Sequence, residues 1–468
     1  MLFSSFDFLL GFLPFVILLF LLFRHFQWQR AAIVGLSAAS WVFYAAWNPA
    51  YLPLLLGSII LNYLIGVGIC AKGRYPWLPL GVSLNLGLLG MFKYAGFIGG
   101  DVLGFRSPVE LALPLAISFF TFQQIAWLVD LDQRKVTIPT FRDYAFFVSF
   151  FPQLIAGPIV RAQELFPQLT AGWLKRPIPW SMGMAFLCIG LAKKVLVADT
   201  LGPGVDAIYM HAEEGGSFDL WQVWSAAAGY GAQLYFDFSG YADMAIGLAL
   251  LFGIRLPFNF LSPYKATSII DFWRRWHITL SDFLRDYLYI PLGGNRKGRT
   301  RRYINLMITM LLGGLWHGAG WQFILWGGLH GSFLVINHLW RTYCRWQLPL
   351  MIASLLTLSV VLLAWIPFRA VDLATTGHIF AGIFRLPALE GWFSPRAIAE
   401  ALVRLDATGQ VGWLAIPALL LARLAPATHN LVQRLNPFQR GLLVGTLLLM
   451  VLKTLAERPD RAFLYFNF

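Results

Sequence analysis

Charged residues are scarce in this chain of 468 residues. Asp, Glu, Lys and Arg together make up 13% of it, against about a quarter in typical soluble domains. Hydrophobic residues make up 58%, and the mean hydropathy is +0.64. The composition therefore excludes a water-soluble domain and indicates an integral membrane protein.

Cysteine is almost absent, and so are several familiar catalytic motifs. Cys70, Cys188 and Cys344 lie far apart and form no C-x-x-C pair, so neither a disulfide framework nor a thiolate metal site is predicted. The chain also lacks a Walker loop, a G-x-G-x-x-G fingerprint, and the H-E-x-x-H and G-x-S-x-G motifs. These absences argue against nucleotide hydrolysis, zinc proteolysis and serine esterase chemistry. We expect no metal and no bound cofactor.

No Ser/Gly linker, low-complexity tract or long-period repeat divides the chain, so a single integral domain over residues 1–468 is predicted. Apolar runs of about 18 residues can span a hydrocarbon core as helices, and we count about ten to twelve crossings in an all-α, polytopic fold. The clearest predicted spans are Phe6–Phe23, Ala31–Trp47, Tyr51–Ala71, Leu111–Val129, Trp180–Val197, Met351–Phe368 and Gly441–Leu455.

The formal charge of +13 is explained by topology, because Lys and Arg concentrate in the cytoplasmic loops of membrane proteins. Membrane lipids are thus the expected surroundings, and a nucleic-acid partner is not. Basic loops at residues 24–30, 72–74 and 130–142 follow the first, third and fifth spans, which places the N-terminus outside. The first span has no basic run before it and no cleavage pattern after it, so we expect a retained helix.

Residues 144–160 are apolar, yet Pro152, Gly157 and Pro158 interrupt the helical hydrogen-bond ladder. Broken backbone at membrane depth is tolerated only where protein or a water-filled cavity surrounds it. We interpret Phe150–Pro158 as a re-entrant element beside an interior cavity. A kinked crossing helix is the alternative.

Residues 264–302 carry nine Lys or Arg against three Asp, so this segment is predicted to lie on the cytoplasmic surface. Its apolar residues recur at spacings of three to four, which predicts one amphipathic interfacial helix. A proline and two glycines at 291–294 end that helix. The periodic residues are Phe272, Trp276, Leu280, Phe283 and Tyr287.

Polar side chains inside apolar segments are the candidates for chemistry, because burying a charge in the bilayer is costly. Residues 311–331 place Trp316 and His317 among four glycines. Glycine costs about 1 kcal/mol relative to alanine inside a helix, so the cluster indicates close packing or a close ligand. His317 is a candidate general base, and a histidine bonded to a neighbouring helix is the alternative. His330 stands in an echo of the same pattern.

His277 lies at the polar edge of the predicted interfacial helix, where it either serves the catalytic cavity or faces lipid headgroups. Its H-x-x-x-x-D spacing to Asp282 is discounted, because five residues turn a helix by about 500° and separate the two side chains. The arginines of this segment either bind a donor phosphate or fix the topology at an anionic surface. Other charged candidates in apolar segments are Asp237, Asp243, Lys193 and Lys194.

Two long motifs carry a resemblance: DFWRRWHITLSDFLRDYLYIPLGGNRKG (Asp271–Gly298) and GGLWHGAGWQFILWGGLHG (Gly313–Gly331). Shorter motifs support it at Ser118–Asp130, Ser149–Arg161, Tyr235–Gly247 and Tyr465–Phe468. Together they resemble the bacterial membrane-bound O-acyltransferase family, in particular its branch of alginate O-acetyltransferase membrane subunits. One departure is Asp282, where that branch usually has an uncharged residue.

The resemblance implies an acetyltransferase with a tunnel through the bacterial inner membrane, where His317 is reactive and His277 supports it. His317 would act as a base or form an acyl-histidine. The implied donor is a cytoplasmic thioester, acetyl-CoA or an acyl carrier. The implied partners are a periplasmic acetyltransferase and a polysaccharide biosynthesis complex, with alginate or cellulose as acceptor. Candidate substrate and tunnel residues are Trp316, Trp273, Arg274, Arg275, Asp237, Asp286, Tyr287, Asn295 and His330.

Two alternatives stay open from the sequence. Many crossings and broken helices also suit a transporter of polysaccharide or lipid precursors, although the inverted repeats typical of transporters are not evident. Within the family, a D-alanyl transferase or a lipid acyltransferase would differ only in the acyl group or the acceptor.

Overall fold

The structure is a computed structural model that describes residues 1–72, 74–105, 112–344, 346–386, 411–458 and 461–464. Within these ranges there are helices and no strands, which confirms the all-α fold class. The α-helices are α1 Leu13–His25, α2 Gln29–Ala45, α3 Leu52–Lys72, α4 Trp77–Leu89, α5 Ile117–Asp132, α6 Phe141–Ser149, α7 Phe151–Leu154, α8 Ala162–Leu165, α9 Trp180–Ala192, α10 Asp199–Glu213, α11 Leu220–Leu251, α12 Ile269–Trp273, α13 Ile278–Leu284, α14 Arg299–His317, α15 Trp321–Tyr343, α16 Leu350–Arg369, α17 Leu373–Ala381, α18 Val411–Leu424, α19 Thr428–Arg434 and α20 Pro437–Glu457.

Five helical stretches are long and apolar enough to cross a membrane. A sixth is added if the bent pair Leu414–Leu424 and Thr428–Arg434 forms one span. This search covers the described residues only, and the predicted ten to twelve crossings stay a prediction. The five stretches, each overlapping a predicted span, are Asp7–His25, Pro49–Ala71, Trp180–Glu213, Leu350–Arg369 and Pro437–Glu457.

The predicted span Leu111–Val129 needs a corrected start. Leu111 lies outside the described residues, and the helix begins at Ile117, after Ala116 in a left-handed conformation with φ of 62°. Pro114 precedes this turn, and a proline restricts the backbone of its neighbours away from a continuous helix.

The chain divides into two compact units, and α11 contributes to both. The first unit comprises Met1–Leu191, Tyr241–Phe258 and Leu431–Asn467. Buried polar contacts join α3, α5 and α6: Gln124 Nε2 donates to Ser58 Oγ at 2.8 Å, and the Tyr144 hydroxyl donates to Gln124 Oε1 at 3.1 Å. Such contacts satisfy polar groups that lipid cannot.

The interruption predicted at residues 150–158 is confirmed. α6 ends at Ser149, Phe150 takes an extended conformation with ψ of 110°, and α7 has only four residues. A Cβ at Gly157 would lie 2.9 Å from the carbonyl oxygen of Gln153, so only glycine fits there. Residues 144–160 are buried throughout. The re-entrant position and the cavity remain predictions.

The second unit comprises Ala192–Gly240 and Asn259–Asn430. Its helices α14 and α15 pack backbone against backbone at two glycines. A Cβ at Gly314 would collide with the carbonyl oxygen of Phe323, and one at Gly327 would collide with that of Met310. These two glycines therefore permit close helix packing, one of the two explanations that the sequence left open.

The prediction of one amphipathic helix within residues 264–302, through Phe272 to Tyr287, is wrong. α12 ends at Trp273, and His277 breaks the chain with φ of 42° and ψ of 54° before α13 begins at Ile278. A non-glycine residue in this left-handed region is uncommon and persists only when its surroundings hold it there. Trp276 and Leu280 are each 1% exposed, so the periodic apolar residues pack into the interior.

Candidate active site

His277 is fully buried, with 0% of its surface exposed, and does not face a headgroup region. Asn259 holds it from a neighbouring segment: the Asn259 carbonyl oxygen accepts from Ile278 N at 3.1 Å. The side-chain Oδ1 lies 3.3 Å from His277 Nδ1 and also accepts from Thr279 N at 3.2 Å and Thr279 Oγ1 at 3.0 Å. These bonds explain how the strained backbone at His277 is maintained.

The same bonds determine the tautomer of His277. A backbone N–H can only donate, so the Asn259 atom bonded to Thr279 N must be the amide oxygen. That oxygen accepts, and His277 Nδ1 therefore donates to it. In the neutral imidazole the proton is on Nδ1, and Nε2 carries the lone pair.

His317 is the last residue of α14 and is 3% exposed. Gly318 follows in an extended conformation, so the helix ends at the histidine. The imidazole packs against aromatic rings from three helices, with ring centroids 4.9 Å from Trp316, 5.0 Å from Trp326 and 5.1 Å from Phe368. The chain thus places an ionisable ring in an apolar environment at a helix break.

The second unit brings the two candidate histidines together, although they are forty positions apart in the sequence. Their ring centroids are 6.5 Å apart. Trp316 lies 6.2 Å from His277, and Phe238 on α11 packs edge-on against it at 4.7 Å. The site is a buried aromatic enclosure with two imidazoles, and we call it the histidine chamber (His277, His317, Trp316, Phe238 and Trp326).

Trp326 connects the chamber to a third histidine. Its ring is 5.0 Å from His317 and 4.8 Å from His330, which lies one turn further along α15. Trp273, at the end of α12, lies 5.2 Å from His330 and 5.8 Å from Trp326. Two more of the predicted tunnel residues, His330 and Trp273, therefore adjoin the chamber.

Asp237 takes part in a buried ion pair. Lys194 Nζ lies 2.7 Å from Asp237 Oδ1 and 2.7 Å from Asp199 Oδ1. Asp237 is 1% exposed and precedes Phe238, the residue that packs on His277. Lys194 thus compensates the buried charge of Asp237 next to Phe238, since a buried charge is tolerated only with a partner.

The other predicted residues of the 264–302 segment form surface contacts. Arg275 pairs with Asp271 at 2.9 Å, and Arg285 pairs with both Asp286 and Asp282 at 2.6 Å. The hydrogen bond with Asp286 raises the pKa of Arg285. These contacts do not connect the carboxylate of Asp282 to His277.

Three predicted residues remain to be placed. Arg274 and Asn295 are exposed, whereas the Tyr287 hydroxyl is buried and its ring lies 4.9 Å from that of Phe283. The role of Arg274, Asn295 and Tyr287 at the substrate stays a prediction.

Sequence reasoning missed Asn259, Trp326 and Phe368. Trp326 and Phe368 stand in plainly apolar helices, where an aromatic residue gives no signal of function. Asn259 does give a signal, because a lone amide among the apolar residues 256–261 needs a hydrogen-bond partner when it is buried. The terminal motif Tyr465–Phe468 lies outside the described residues.

Comparison of the sequence with known proteins identifies the family to which the chain belongs. The sequence profile described as "MBOAT, membrane-bound O-acyltransferase family" matches residues 107–366, more than half of the chain. The chain belongs to the membrane-bound O-acyltransferase family. All three histidines of the acyltransferase described above fall within the matched region, so the predicted resemblance, the membrane class and the enzyme class are confirmed.

The acyltransferase also resembles curated proteins along most of its length. It is 44% identical over 411 residues to the peptidoglycan O-acetyltransferase of Helicobacter pylori, covering 79% of this chain and 77% of that protein. It is 40% identical over 440 residues to the probable alginate O-acetylase AlgI of Pseudomonas putida, covering 90% and 87%. A teichoic acid D-alanyltransferase of Streptococcus thermophilus is 30% identical over 240 residues, covering 48% and 57%.

Proposed function

We propose that this acyltransferase moves an acetyl group from a cytoplasmic thioester donor, acetyl-CoA or an acyl carrier, to hydroxyl groups of an extracellular glycan. The observation that carries the proposal is the pairing of His277 and His317, 6.5 Å apart in a buried aromatic enclosure. We infer the acetyl group and the glycan acceptor from the names of the two relatives that align over most of their length.

In the proposed reaction His317 is the general base. It takes the proton of the acceptor hydroxyl as the oxygen attacks the thioester carbonyl carbon. The tetrahedral intermediate then expels the sulfur as the C–S bond breaks, and the imidazolium returns the proton to the leaving thiolate. Base catalysis of this kind contributes about 10²–10⁴ in rate. His277, neutral and held by Asn259, offers its Nε2 lone pair next to the reacting groups.

The direction of transfer is proposed from charge and family. Nine Lys or Arg at 264–302 favour the cytoplasmic side for that segment, with the N-terminus periplasmic and the chain in the inner membrane. A periplasmic acetyltransferase and a polysaccharide assembly complex are the proposed partners. The transport alternative is abandoned, because family membership identifies an enzyme.

Three acceptors are compatible with the proposal. The family resemblance implies alginate or cellulose, and the similarity to the Helicobacter pylori peptidoglycan O-acetyltransferase suggests peptidoglycan. D-alanyl transfer is the second candidate for the acyl group, and the relative that supports it aligns with 48% of the chain. Acetyl is favoured because the acetyl-transferring relatives align with 79% and 90%.

The test is mass analysis of surface polysaccharide and of peptidoglycan from a deletion strain. Complementation uses the wild type, His317→Ala, and His25→Ala as a control at an exposed histidine, with membrane levels measured by immunoblot. Acetyl esters should be absent from the deletion strain, return with the wild type and His25→Ala, and stay absent with His317→Ala. Acetyl esters unchanged by the deletion would overturn the proposal, and D-alanyl esters lost instead would replace it with the second candidate. Activity retained in His317→Ala would remove His317 from the mechanism.

A further inference from the structure

The burial of His330 costs free energy, and its packing contacts do not explain why a histidine stands there. Its side chain is 0% exposed, and among the described residues neither ring nitrogen has a hydrogen-bond partner. A buried polar atom without a partner costs free energy, and such groups are rare enough in native proteins to require a reason. Phenylalanine would fill the same space between the surrounding rings without this cost.

Two tryptophans beside His330 also have buried polar atoms. The indole nitrogens of Trp273 and Trp326 are buried, and no group in the described part of the chain hydrogen-bonds to either of them. The three rings are in mutual contact, with centroids 4.8 Å, 5.2 Å and 5.8 Å apart. Four buried polar atoms thus meet in one cluster of rings, which we call the indole cluster (Trp273, Trp326 and His330).

The hydrogen-bonding capacity of the indole cluster defines the ligand that fits it. An indole N–H only donates, whereas a neutral imidazole donates once and accepts once. The cluster therefore offers three donors and one acceptor. A secondary amide has a carbonyl oxygen with two lone pairs and one N–H, so it uses both functions. A hydrocarbon chain uses neither the donors nor the acceptor of the cluster. An ionised phosphate has no N–H or O–H to donate to the imidazole and would require cationic side chains beside it.

The position of the cluster relates the ligand to the reaction. Trp326 lies in contact with both His317 and His330, so a group bound at His330 lies about one indole ring from the proposed base. The acceptor hydroxyl must come within hydrogen-bond reach of the base, and the thioester carbonyl must lie next to that hydroxyl for the attack. In thioesters of the pantetheine type, the first amide lies a short two-carbon link from the sulfur, which matches this separation.

We propose that His330, together with the indole N–H groups of Trp273 and Trp326, binds the amide nearest the sulfur of the donor's thiol arm. This site holds the thioester at His317. It rests on the proposed function, because it assumes a thioester donor. It adds that the enzyme recognises an amide-bearing thiol and not thioesters in general.

The test compares two small donors with the purified full-length enzyme. One is the acetyl thioester of N-acetylcysteamine, which has an amide two carbons from sulfur. The other is S-pentyl thioacetate, which has the same chain length without the amide. The wild type should prefer the amide donor by about 10–100-fold in kcat/KM, mainly through KM, as expected from one or two buried hydrogen bonds.

The variants separate recognition from folding and from catalysis. His330→Phe should bring the preference close to unity by impairing only the amide donor, and His330→Gln, which donates and accepts, should restore part of it. Trp273→Phe should lower the preference independently. His338→Phe is the matched control on the same helix, because His338 lies 2.7 Å from Arg302 Nη2 and outside the cluster; it should keep the wild-type preference.

Two results would be decisive against the inference. A preference that is the same in the wild type and in both His330→Phe and Trp273→Phe overturns the amide site while leaving the proposed function intact. If the wild type turns over neither thioester, the proposed donor class is wrong, and the amide site fails with it.

Discussion

Asn259 offers a sharp test of the site, because one amide oxygen serves three donors around His277. Asn259→Leu keeps the volume and removes the acceptor. His277 Nδ1–H and Thr279 N–H are fixed donors and would be left buried without this partner, whereas the Thr279 hydroxyl can rotate. At about 1–3 kcal/mol for each of these two fixed donors, we expect the free energy of unfolding to fall by about 2–6 kcal/mol.

The kinetic effect should follow from the imidazole. Without the bond to Asn259, neither the tautomer nor the ring orientation of His277 is held, and losing an orienting bond of about 1.4–3 kcal/mol lowers kcat roughly 10–100-fold. Asn259→Asp keeps an acceptor oxygen and should retain more activity than Asn259→Leu. Thr279→Val is the control, because it deletes only the rotatable hydroxyl and should leave kcat unchanged.

The assay is acetyl transfer by detergent-purified enzyme, with thermal unfolding measured on the same samples. A double-mutant cycle with His277→Asn, which tolerates the left-handed backbone, decides the mechanism. If Asn259 acts through His277, the double variant should be no slower than His277→Asn alone, because coupled residues are not additive. Fully multiplicative losses, or wild-type kinetics in Asn259→Leu, would refute the reasoning.

Two further predictions concern stability. Gly327→Ala should lower the unfolding temperature, because the new Cβ would lie 3.0 Å from the Met310 carbonyl carbon and overpacking costs about 1–3 kcal/mol. Gly87→Ala is the control, because a Cβ there meets nothing within 4 Å, and it should be neutral or stabilising. Equal losses in both variants would contradict the packing argument. Asp372 caps α17 by accepting from Thr375 N at 2.7 Å, a bond that lowers the pKa of its carboxyl from 3.8, so Asp372→Ala should cost about 1 kcal/mol at neutral pH. Because the folded pKa is depressed, this difference should hold above about pH 4 and shrink as the pH falls below it; a gap in unfolding temperature that widens on acidification would exclude the cap as its source.

Much of the architecture could be predicted because it follows from hydropathy. The five long apolar helices coincide with predicted spans, since a membrane-crossing helix must be apolar over its whole length. His317 could be proposed as a candidate for a similar reason, because an ionisable residue among glycines in an apolar run is costly to bury. The glycine cluster indicated close packing or a close ligand, and the structure shows close packing of α14 against α15 at Gly314.

The geometry around His277 could not be predicted from local pattern. Apolar residues at 272, 276 and 280 fit one continuous helix as well as two short ones, since both bury the same side chains. What breaks the helix is a contact with Asn259, eighteen positions earlier in the chain. Such a tertiary contact leaves no periodic trace in the sequence. The same holds for the 6.5 Å approach of His277 to His317, which depends on packing between distant segments.

The helix break at each histidine has an electrostatic consequence. His317 is the last residue of α14, and the unpaired carbonyl groups at that end of a helix carry partial negative charge. His277 precedes the first turn of α13, where the unpaired N–H groups carry partial positive charge. A proton arriving in the chamber therefore experiences fields of opposite sign at the two rings. The difference is of the order of 0.3–1 kcal/mol at each helix end and larger where water is excluded. The chain direction alone thus favours His317 over His277 as the ring that becomes cationic.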